Sequence, residues 1–450
     1  GPAPALRRQQ RGQYANLALK EVLAEAEQNG RTLEKQDRAF AAALFYSALE
    51  HQITLGYYWA ALSKGGRIAL PIRCLLMLGG AQLLYMDVPP RAAIYETVAL
   101  CKEVGKGTSA SFVNGLLREL DRRRENLPMP EGNEAEKLSI AYSYPLWLVE
   151  RLLQLLGQDG AQRFMAGRGP EGKGFPQGVC LRANGPRLRY DELDAALEKH
   201  GVDFSKGRLM AQARYAKGMG DVGNFDLFAE GKIAVQGESS MLVGAVAGTK
   251  SGMKVLDACA APGGKTAYLA AARGEGELRA WDIHPHRGAL IQRNCQRLGF
   301  TWVGAEVQDA TVFRPEWEGY FDLVLVDAPC SGLGVLEDKP DIKYAREPEA
   351  LAELLPLQAA ILSTCSRYVR RGGALIYSTC TLLPEENGGQ VETFLQGHED
   401  FERGELTPYL PSAIDPARAA GGELQLWPHI DGVAGFYMAR MERKTVDGSM

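Results

Sequence analysis

The sequence predicts a multidomain protein with an all-α bundle at the front, a small α/β module in the middle and a doubly wound α/β domain at the end. Apolar residues recur at steps of three and four over residues 14–125, which is the period of packed helices. After residue 236, short apolar runs alternate with helical segments, as in a parallel sheet covered by helices. These patterns predict three domains, at 5–130, 140–235 and 236–445.

Composition places the chain among soluble globular proteins. Its hydrophobic content of 46% and charged content of 24% are ordinary, and 450 residues allow two or three domains. The eight cysteines form no Cys-x-x-Cys pair, so we expect no metal, no disulfide and a cytoplasmic location. The apolar run 68–86 is broken by Arg73 and two glycines, so we expect no membrane partner.

The front segment is predicted to be a helical bundle. Residues 73–85 form its most apolar stretch and predict its most buried helix. Pro89 and Pro90 predict the start of the next helix, 91–104, and the last helix begins near Ser111. Six arginines flank the bundle and are either phosphate contacts or solvated helix ends: Arg7, Arg8, Arg11, Arg122, Arg123 and Arg124.

The middle module follows a helix predicted at 146–156 and a glycine-rich stretch, 167–178, that predicts a flexible loop. A strand at 179–184, a helix at 190–200 and a strand at 233–235 predict a small α/β fold. Four arginines in it are candidate RNA contacts or solubilising surface residues: Arg182, Arg187, Arg189 and Arg214.

The last segment predicts a Rossmann-like parallel sheet, whose ligands bind at the carboxyl ends of the strands. Each predicted strand ends beside a polar or reactive residue. An antiparallel hairpin formed by 424–427 and 435–440 is expected at the edge of the sheet. The parallel strands are predicted at 255–257, 278–282, 304–307, 323–327 and 374–378.

A loop of small residues follows the first of these strands. Because its side chains have little bulk, backbone N–H groups and a helix N-terminus can approach the polar edge of a ligand. The glycine patterns of dinucleotide sites and of phosphate loops are both incomplete here, so the loop suits a nucleoside with few phosphates. The predicted cofactor-binding residues of the loop are Cys259, Ala260, Ala261, Pro262, Gly263, Gly264 and Lys265.

Two aspartates at other strand ends complete the predicted nucleoside site. Asp282 ends the second strand, where a carboxylate can accept hydrogen bonds from both ribose hydroxyls, and Arg287 lies one helical turn further on. Asp309 follows the third strand and suits an exocyclic amine such as that of adenine. Either aspartate alone is more commonly a helix cap, but both beside the small-residue loop favour a nucleoside.

Two cysteines are predicted to face one crevice. Cys330 lies in the segment 327–332 and Cys380 in the segment 378–381, and both segments directly follow strands. A single cysteine is most often a small buried apolar residue, and five others are interpreted in this way: Cys74, Cys101, Cys180, Cys295 and Cys365. Two cysteines at converging strand ends instead indicate a reactive site.

The segments 257–266, 327–332 and 378–381 resemble motifs of the RNA 5-methylcytosine methyltransferases. The helical front resembles a NusB-like RNA-binding domain, so the resemblance covers nearly the whole chain and is to the RsmB (Fmu) ribosomal RNA enzymes in particular. Further matching pieces are 235–240, 339–343 and 384–387. The resemblance implies a methyltransferase domain, S-adenosyl-L-methionine as cofactor, ribosomal RNA as partner and methylation of carbon 5 of a cytosine in the small-subunit (16S) RNA.

The resemblance also implies a role for each reactive residue. Cys380 supplies a thiolate that adds to carbon 6 of the cytosine, which makes carbon 5 able to attack a methyl sulfonium. Asp327, also a cofactor-site residue, protonates or hydrogen-bonds the ring nitrogen, and Lys265 favours the thiolate or orients Asp327. Cys330 is linked to release of the enzyme. The base must be accessible, so we expect a single-stranded or extruded cytosine in a pocket shaped by Pro329.

Two departures from the family pattern leave the target choice open. The tail, 431–437, carries extra residues where relatives have Asp-Gly-Phe-Phe, and the glycine-rich stretch replaces a proline-rich one. Transfer RNA is the nearest alternative substrate. A nicotinamide-dependent oxidoreductase would explain only the loop and Asp282, and a non-catalytic RNA-binding assembly protein would not need Asp327, Cys330 and Cys380. We expect a monomer because the motifs are self-contained.

Overall fold

The computed structural model describes residues 2–30, 33–170 and 174–445. The chain divides into two compact units. The helical unit consists of Gly1–Ala166 together with Leu336–Arg346, and the sheet unit consists of Gly167–Val335 together with Glu347–Met450. The division into three domains at 5–130, 140–235 and 236–445 stays a prediction.

The helical unit is built around one buried helix, α5. This helix spans Leu70–Tyr85, and every residue from Cys74 to Leu83 is buried, as the apolar stretch predicted. A Cβ on Gly79 would lie 2.6 Å from Leu117, so glycine allows a close approach of α7. The helices are α1 (Pro2–Gln9), α2 (Ala15–Gln28), α3 (Lys35–Glu50), α4 (Gln52–Leu62), α5, α6 (Pro90–Glu103), α7 (Ala110–Arg122), α8 (Glu134–Tyr142) and α9 (Leu146–Met165).

The helix predicted at 146–156 continues beyond its predicted end. Gly157 interrupts α9 with φ 65° and ψ 178°, which is where the sequence predicted the helix to stop, and helical turns then resume as far as Met165. Of the predicted flexible loop, residues 171–173 lie outside the described part of the chain. Arg168 and Gly174, on either side of them, are paired by a β-bridge.

The segment 336–346 joins the helical unit although it lies far along the sequence. It contains the short helix α15 (Ile342–Ala345). The Lys343 ammonium donates to the Glu50 carbonyl over 3.1 Å, and a carboxylate oxygen of Asp341 accepts from the Ala15 N–H over 3.1 Å. Because these bonds satisfy buried polar groups, the segment is held in the helical unit by specific contacts.

Three of the six flanking arginines form ion pairs with glutamates on the surface of the helical unit. Arg8 pairs with Glu25 at 2.8 Å, and both Arg122 and Arg123 pair with Glu119. The helix-surface interpretation therefore accounts for these three side chains without a phosphate.

A small antiparallel sheet forms the first part of the sheet unit. Its strand order is β2-β3-β1-β4, and the helix predicted at 190–200 is shorter than expected. Arg182 and Arg214, two candidate RNA contacts, are 2% and 5% exposed, so they are interior residues. The elements are β1 (Val179–Ala183), α10 (Leu193–Lys199), β2 (Asp203–Lys206), β3 (Ala213–Lys217), α11 (Asp226–Ala229) and β4 (Ile233–Val235).

A large mixed sheet forms the rest of the sheet unit. Its order is β10-β12-β9-β8-β5-β6-β7, with β11 paired to β12. Strands β5 to β9 are parallel, and β12 is antiparallel to β9, β10 and β11. The strands are β5 (Val255–Asp257), β6 (Leu278–Asp282), β7 (Gly304–Val307), β8 (Phe321–Asp327), β9 (Val369–Thr379), β10 (Phe401–Arg403), β11 (Glu423–Leu426) and β12 (Phe436–Arg443).

Helices cover both faces of the large sheet. Alternate residues of one strand enter different cores: Leu323 and Leu325 belong to one buried cluster, whereas Val324 and Val326 belong to the other. The predicted fold class is therefore confirmed, including the parallel strands and the closing hairpin. The helices are α12 (Glu238–Val246), α13 (Gly264–Arg273), α14 (Pro285–Leu298), α16 (Ala350–Ser366), α17 (Gly388–Gly397) and α18 (Pro428–Asp431).

Within the described residues, no helix combines the length and the apolar character that crossing a membrane requires.

Candidate active site

The large sheet reverses its winding direction between β5 and β8. From β5 the chain proceeds to β6 and β7 on one side, whereas β8 and β9 lie on the other side. Such a reversal leaves a crevice at the carboxyl ends of the strands. The residues that follow β5, β8 and β9 therefore face a common opening.

The loop after β5 is shaped for close approach of a ligand. Gly263 adopts φ 98°, and a Cβ there would lie 3.2 Å from the Cα of Ile291, so a larger residue is disfavoured on both counts. The Ala260 N–H is tied to the carbonyl of Trp281 at 2.8 Å, and Gly264 begins α13. Cys259 sits in the same loop, where burial raises the pKa of its thiol well above the usual range. The loop thus presents backbone and a helix N-terminus.

Asp257, at the end of β5, is hydrogen-bonded to the first turn of α13 on the other side of this loop. The carboxyl group is fully buried and accepts a hydrogen bond from the Thr266 hydroxyl over 2.7 Å, while its Oδ1 has no partner. Burial raises the pKa of Asp257 to about 7, and the hydrogen bond from Thr266 only partly opposes that rise. This oxygen without a partner lies close to the charges of Lys265, Asp282 and Asp327.

The two predicted nucleoside-binding aspartates lie at the ends of β6 and β7. Asp282 is 6% exposed, its Oδ1 accepts from the His284 N–H over 3.1 Å, and its Oδ2 lies 4.0 Å from Arg287. Oδ1 of Asp309 accepts from the N–H and the hydroxyl of Thr311. Each aspartate therefore accepts hydrogen bonds through Oδ1 from a residue two positions further along the chain, within a turn and not as a helix cap. The small-residue loop, the orphaned Asp257 oxygen and these carboxylates fit a nucleoside cofactor.

Lys265 and Asp327 form an ion pair at the crevice. The Lys265 ammonium donates to Oδ2 of Asp327 over 2.7 Å, and the Ser378 hydroxyl donates to Oδ1 over 2.7 Å. Lys265 is 11% exposed and its ammonium lies 5.1 Å from the ring centroid of Phe436. Burial favours a lower pKa for Lys265, but the charge and hydrogen bond of Asp327 outweigh burial and raise that pKa. The lysine therefore carries a proton at neutral pH.

The two predicted cysteines do meet. Their sulfur atoms lie 3.4 Å apart, close enough for a weak hydrogen bond. The pKa of Cys330 is raised well above the usual range, first by this hydrogen bond, then by burial and by negative charge at Cys380. None of the eight cysteines forms a disulfide in the described structure.

A buried carboxylate holds the two cysteine loops together. Glu386 is fully buried and accepts from the Ser331 N–H at 2.8 Å and from the Thr381 hydroxyl at 3.1 Å. Gln358 donates to the same carboxylate at 3.0 Å and to the carbonyl of Pro329 at 2.9 Å. Since Ser331 follows Cys330 and Thr381 follows Cys380, this network fixes the spacing of the two sulfurs.

Sequence reasoning missed three contributors to this arrangement. Ser378 binds Asp327, Phe436 lies beside Lys265, and Glu386 joins the cysteine loops. For Glu386 a signal existed, because the polar run 385–387 follows Cys380 closely. Phe436 lies in the predicted hairpin segment 435–440, but no local pattern predicts its contact with Lys265.

The described residues contain no group of three or more His, Cys, Asp or Glu side chains arranged to hold a metal ion.

Family models match both units of the chain. Residues 246–442 match the model of the 16S rRNA methyltransferase RsmB/F, and residues 5–122 match the model of the NusB family. The resemblances seen in the motifs and in the helical front are therefore confirmed.

Proteins of known sequence or structure match over nearly the whole chain. The probable ribosomal RNA small subunit methyltransferase B of Bacillus subtilis (strain 168) is 36% identical, covering 96% of this chain and 95% of that protein. Its namesake from Synechocystis sp. is 32% identical, covering 96% of each. The crystal structure of PH0851 matches with a TM-score of 0.80 and 26% identity, covering 98% of this chain and 97% of that one. The chain belongs to the RsmB/F family of 16S ribosomal RNA methyltransferases, which use S-adenosyl-L-methionine as methyl donor.

Proposed function

We propose that the protein methylates carbon 5 of a cytosine in small-subunit ribosomal RNA through a covalent adduct with Cys380. The observation that carries the proposal is the meeting of two thiols, 3.4 Å apart, beside a partly buried lysine–aspartate pair. Carbon 5 of cytosine is a poor nucleophile, so it needs activation by addition at carbon 6. The names of the Bacillus subtilis and Synechocystis relatives support ribosomal RNA as the substrate.

Cys380 is the proposed nucleophile. Its thiolate forms a bond to carbon 6, the double bond between carbons 5 and 6 opens, and ring nitrogen N3 takes up a proton. The product is a neutral enamine in which carbon 5 carries the reactive electron pair. Addition therefore depends on a proton source close to N3.

The Lys265–Asp327 pair is the proposed source of that proton. Asp327 is held on both oxygens, by Lys265 and by Ser378, so its position is fixed before the base arrives. Since the pKa of Lys265 is raised, the ammonium keeps its proton until addition makes N3 more basic. The proton then passes through Asp327 to N3.

The methyl donor is proposed to lie against the small-residue loop, with Asp282, Arg287 and Asp309 around its nucleoside part. When bound, S-adenosyl-L-methionine supplies a methyl group made electrophilic by a positively charged sulfonium. The loop and α13 present N–H groups there, and Lys265 on the first turn of α13 connects this region to Asp327.

Cys330 is the proposed base for release. Two of the causes that raise its pKa, the hydrogen bond to Cys380 and the negative charge there, disappear once Cys380 is bonded to carbon 6. Its thiol then gives up its own proton to solvent more readily, and the resulting thiolate can accept the proton of carbon 5. The electrons of that C–H bond re-form the ring double bond, the bond between carbon 6 and sulfur breaks, Cys380 leaves as thiolate, and N3 returns its proton.

The test is methyl transfer from labelled S-adenosyl-L-methionine to total RNA, followed by separation of the RNA by size and by nucleoside analysis. We expect label in 5-methylcytosine of the small ribosomal RNA. Label in another nucleoside would contradict the assigned carbon, and label confined to transfer RNA would keep the chemistry but contradict the substrate. An absence of label in every RNA would favour a non-catalytic RNA-binding protein.

A further inference from the structure

The sheet unit contains a pocket that the proposed reaction does not use. It has a volume of about 190 Å³ and lies between the small sheet and α13. Its walls include Arg182, Tyr190, Gln212, Tyr268 and Ala272. None of its lining residues is acidic, and Arg182 is the only charged residue among them.

Arg182 is an unusual interior residue because it lacks a counter-ion. The side chain is 2% exposed and forms no ion pair with a carboxylate of the described chain. Its Nε donates to Oε1 of Gln236 over 2.8 Å and its Nη1 reaches the Ala183 carbonyl at 3.5 Å, but Nη2 has no hydrogen-bond partner. Arg214, the other interior arginine of this sheet, is by contrast paired with Asp194.

Aromatic contact only partly compensates this charge. The guanidinium carbon lies 5.3 Å from the ring centroid of Tyr268, a distance at which the attraction between a cation and a ring is modest. Burial lowers the pKa of Arg182 to about 10, so the guanidinium still carries its charge at neutral pH. A buried cation that has an N–H group without an acceptor is stabilised by an anion. No group of the described chain supplies that anion.

The pocket is connected to the catalytic region through one helix. Tyr268 and Ala272 lie on α13 three and seven residues after Lys265, which places them on the same face of that helix. Gln236, the partner of Arg182, approaches Gly264 at the start of the helix. The pocket is therefore about one helical turn from the lysine that holds Asp327.

We propose that this pocket binds a backbone phosphate of the RNA, with Arg182 as its donor and Gln212 and the exposed ring of Tyr190 at its rim. This assignment rests on the proposed RNA methylation. A phosphate here supplies the missing counter-ion and holds a nucleotide near the reacting base. Because a phosphate contact carries no sequence information, the pocket positions the strand and does not select the base.

The test uses a carboxylate placed in the pocket. Ala272 is an exposed residue on α13, so Ala272→Glu suits the helix and offers Arg182 an internal counter-ion. We expect it to weaken binding of a cytosine-rich single-stranded RNA about tenfold at low salt and to reduce the slope of log affinity against log salt by about 0.7, as for one lost phosphate contact. Ala272→Gln controls for the size of the new side chain, because it adds no charge. Ala413→Glu, on another exposed surface, controls for the change in net charge.

Three comparisons decide the outcome. Equal slopes for Ala272→Glu and Ala272→Gln would overturn the proposal, as would an equal loss of slope in Ala413→Glu. If Ala272→Glu does not fold, Gln212→Glu introduces the same charge at the rim and the same criteria apply. Inorganic phosphate titrated alone separates the sources of the anion: competition with RNA supports a phosphate site, whereas phosphate binding that leaves RNA affinity unchanged overturns the assignment to RNA.

This result is separable from the fate of the proposed function. Wild-type methylation of cytosine with an unchanged slope in Ala272→Glu would contradict the pocket and leave the chemistry standing. A reduced slope without methylation of any RNA would contradict the chemistry and leave the pocket standing.

Discussion

Cys330 and Cys380 hold their sulfur atoms 3.4 Å apart although fifty residues separate them in sequence. The register of β8 and β9 pairs Asp327 with Ser378, so both cysteines begin from the same level of the sheet. Glu386 then joins the residues that follow them. A parallel strand pair and one buried carboxylate are thus sufficient to bring the two sulfur atoms within 3.4 Å of each other.

Removal of Cys330 should trap the enzyme on its RNA. In Cys330→Ala, Cys380 can still add to the base, but the proton of carbon 5 has lost its proposed acceptor, so elimination stalls. We expect a protein–RNA species that survives denaturing gel electrophoresis and carries the transferred methyl group.

The control for this adduct is the double variant Cys330→Ala with Cys380→Ala. It should form no denaturant-resistant species, and Cys380→Ala alone should transfer no methyl group. Normal turnover by Cys330→Ala, or an adduct in the double variant, would show that the two roles are wrongly assigned.

Replacement of Lys265 should damage the chemical step more than cofactor binding. In Lys265→Met, Asp327 keeps its bond from Ser378 but loses its proton donor, so kcat should fall by about 10²-fold to 10⁴-fold, the usual worth of a positioned acid or base. Affinity for S-adenosyl-L-methionine, measured by calorimetry without RNA, should change much less.

Lys265→Arg is the matched comparison, because it keeps a positive charge but not the compact ammonium. It should retain more kcat than Lys265→Met. A Lys265→Met enzyme with wild-type kcat and only a raised KM would contradict a role in proton transfer.

Loss of the Glu386 carboxylate should loosen the cysteine loops. Glu386→Ala removes the acceptor that Ser331, Gln358 and Thr381 share in a fully buried site. The expected loss in the free energy of unfolding is roughly 3–5 kcal/mol, together with a reduced kcat. Urea denaturation and single-turnover kinetics measure the two effects.

A surface glutamate provides the control. Glu392 on α17 pairs with Arg403 at 3.2 Å while 58% exposed, so Glu392→Ala should cost less than about 1 kcal/mol. Equal unfolding midpoints for Glu386→Ala and Glu392→Ala would refute the bridging role of Glu386.

The strand ends and their reactive residues could be predicted because each signal is local. An apolar run followed by a small-residue loop or a cysteine marks a strand that ends at a ligand site, whichever way the chain folds afterwards. The bridge from Glu386 to Ser331 spans fifty-five residues, and the polar run 385–387 does not indicate which residue is the partner. It depends on the pairing of β8 with β9, which the sequence alone predicts only in outline.

The sequence did not predict the burial of two arginines in the small sheet. The sequence predicts RNA contacts or surface positions for Arg182 and Arg214, but both lie inside the fold: Asp194 pairs with Arg214, whereas Gln236 satisfies Arg182 only in part. Burial of a cation depends on a partner distant in sequence, so composition and period do not reveal it.

The buried carboxyl of Asp257 should make the stability of the protein depend on pH near neutrality. Its pKa is about 7 in the folded protein against an ordinary value of 3.8, so between these values the native state holds a proton that the unfolded state has released. Because unfolding within this window releases that proton, the free energy of unfolding falls as the pH rises, until the native carboxyl itself ionises near pH 7.

Asp257→Asn removes the titration while keeping an acceptor for the Thr266 hydroxyl. Between pH 5 and pH 8 the wild type should lose roughly 3 kcal/mol of unfolding free energy relative to this variant, measured by urea denaturation without cofactor. Asp87→Asn makes the same exchange at an exposed position. Its free energy of unfolding should change with pH in parallel with that of the wild type. Parallel curves for Asp257→Asn as well would mean that the carboxyl is already ionised at pH 5, and the orphaned oxygen would then need a partner that stabilises its charge.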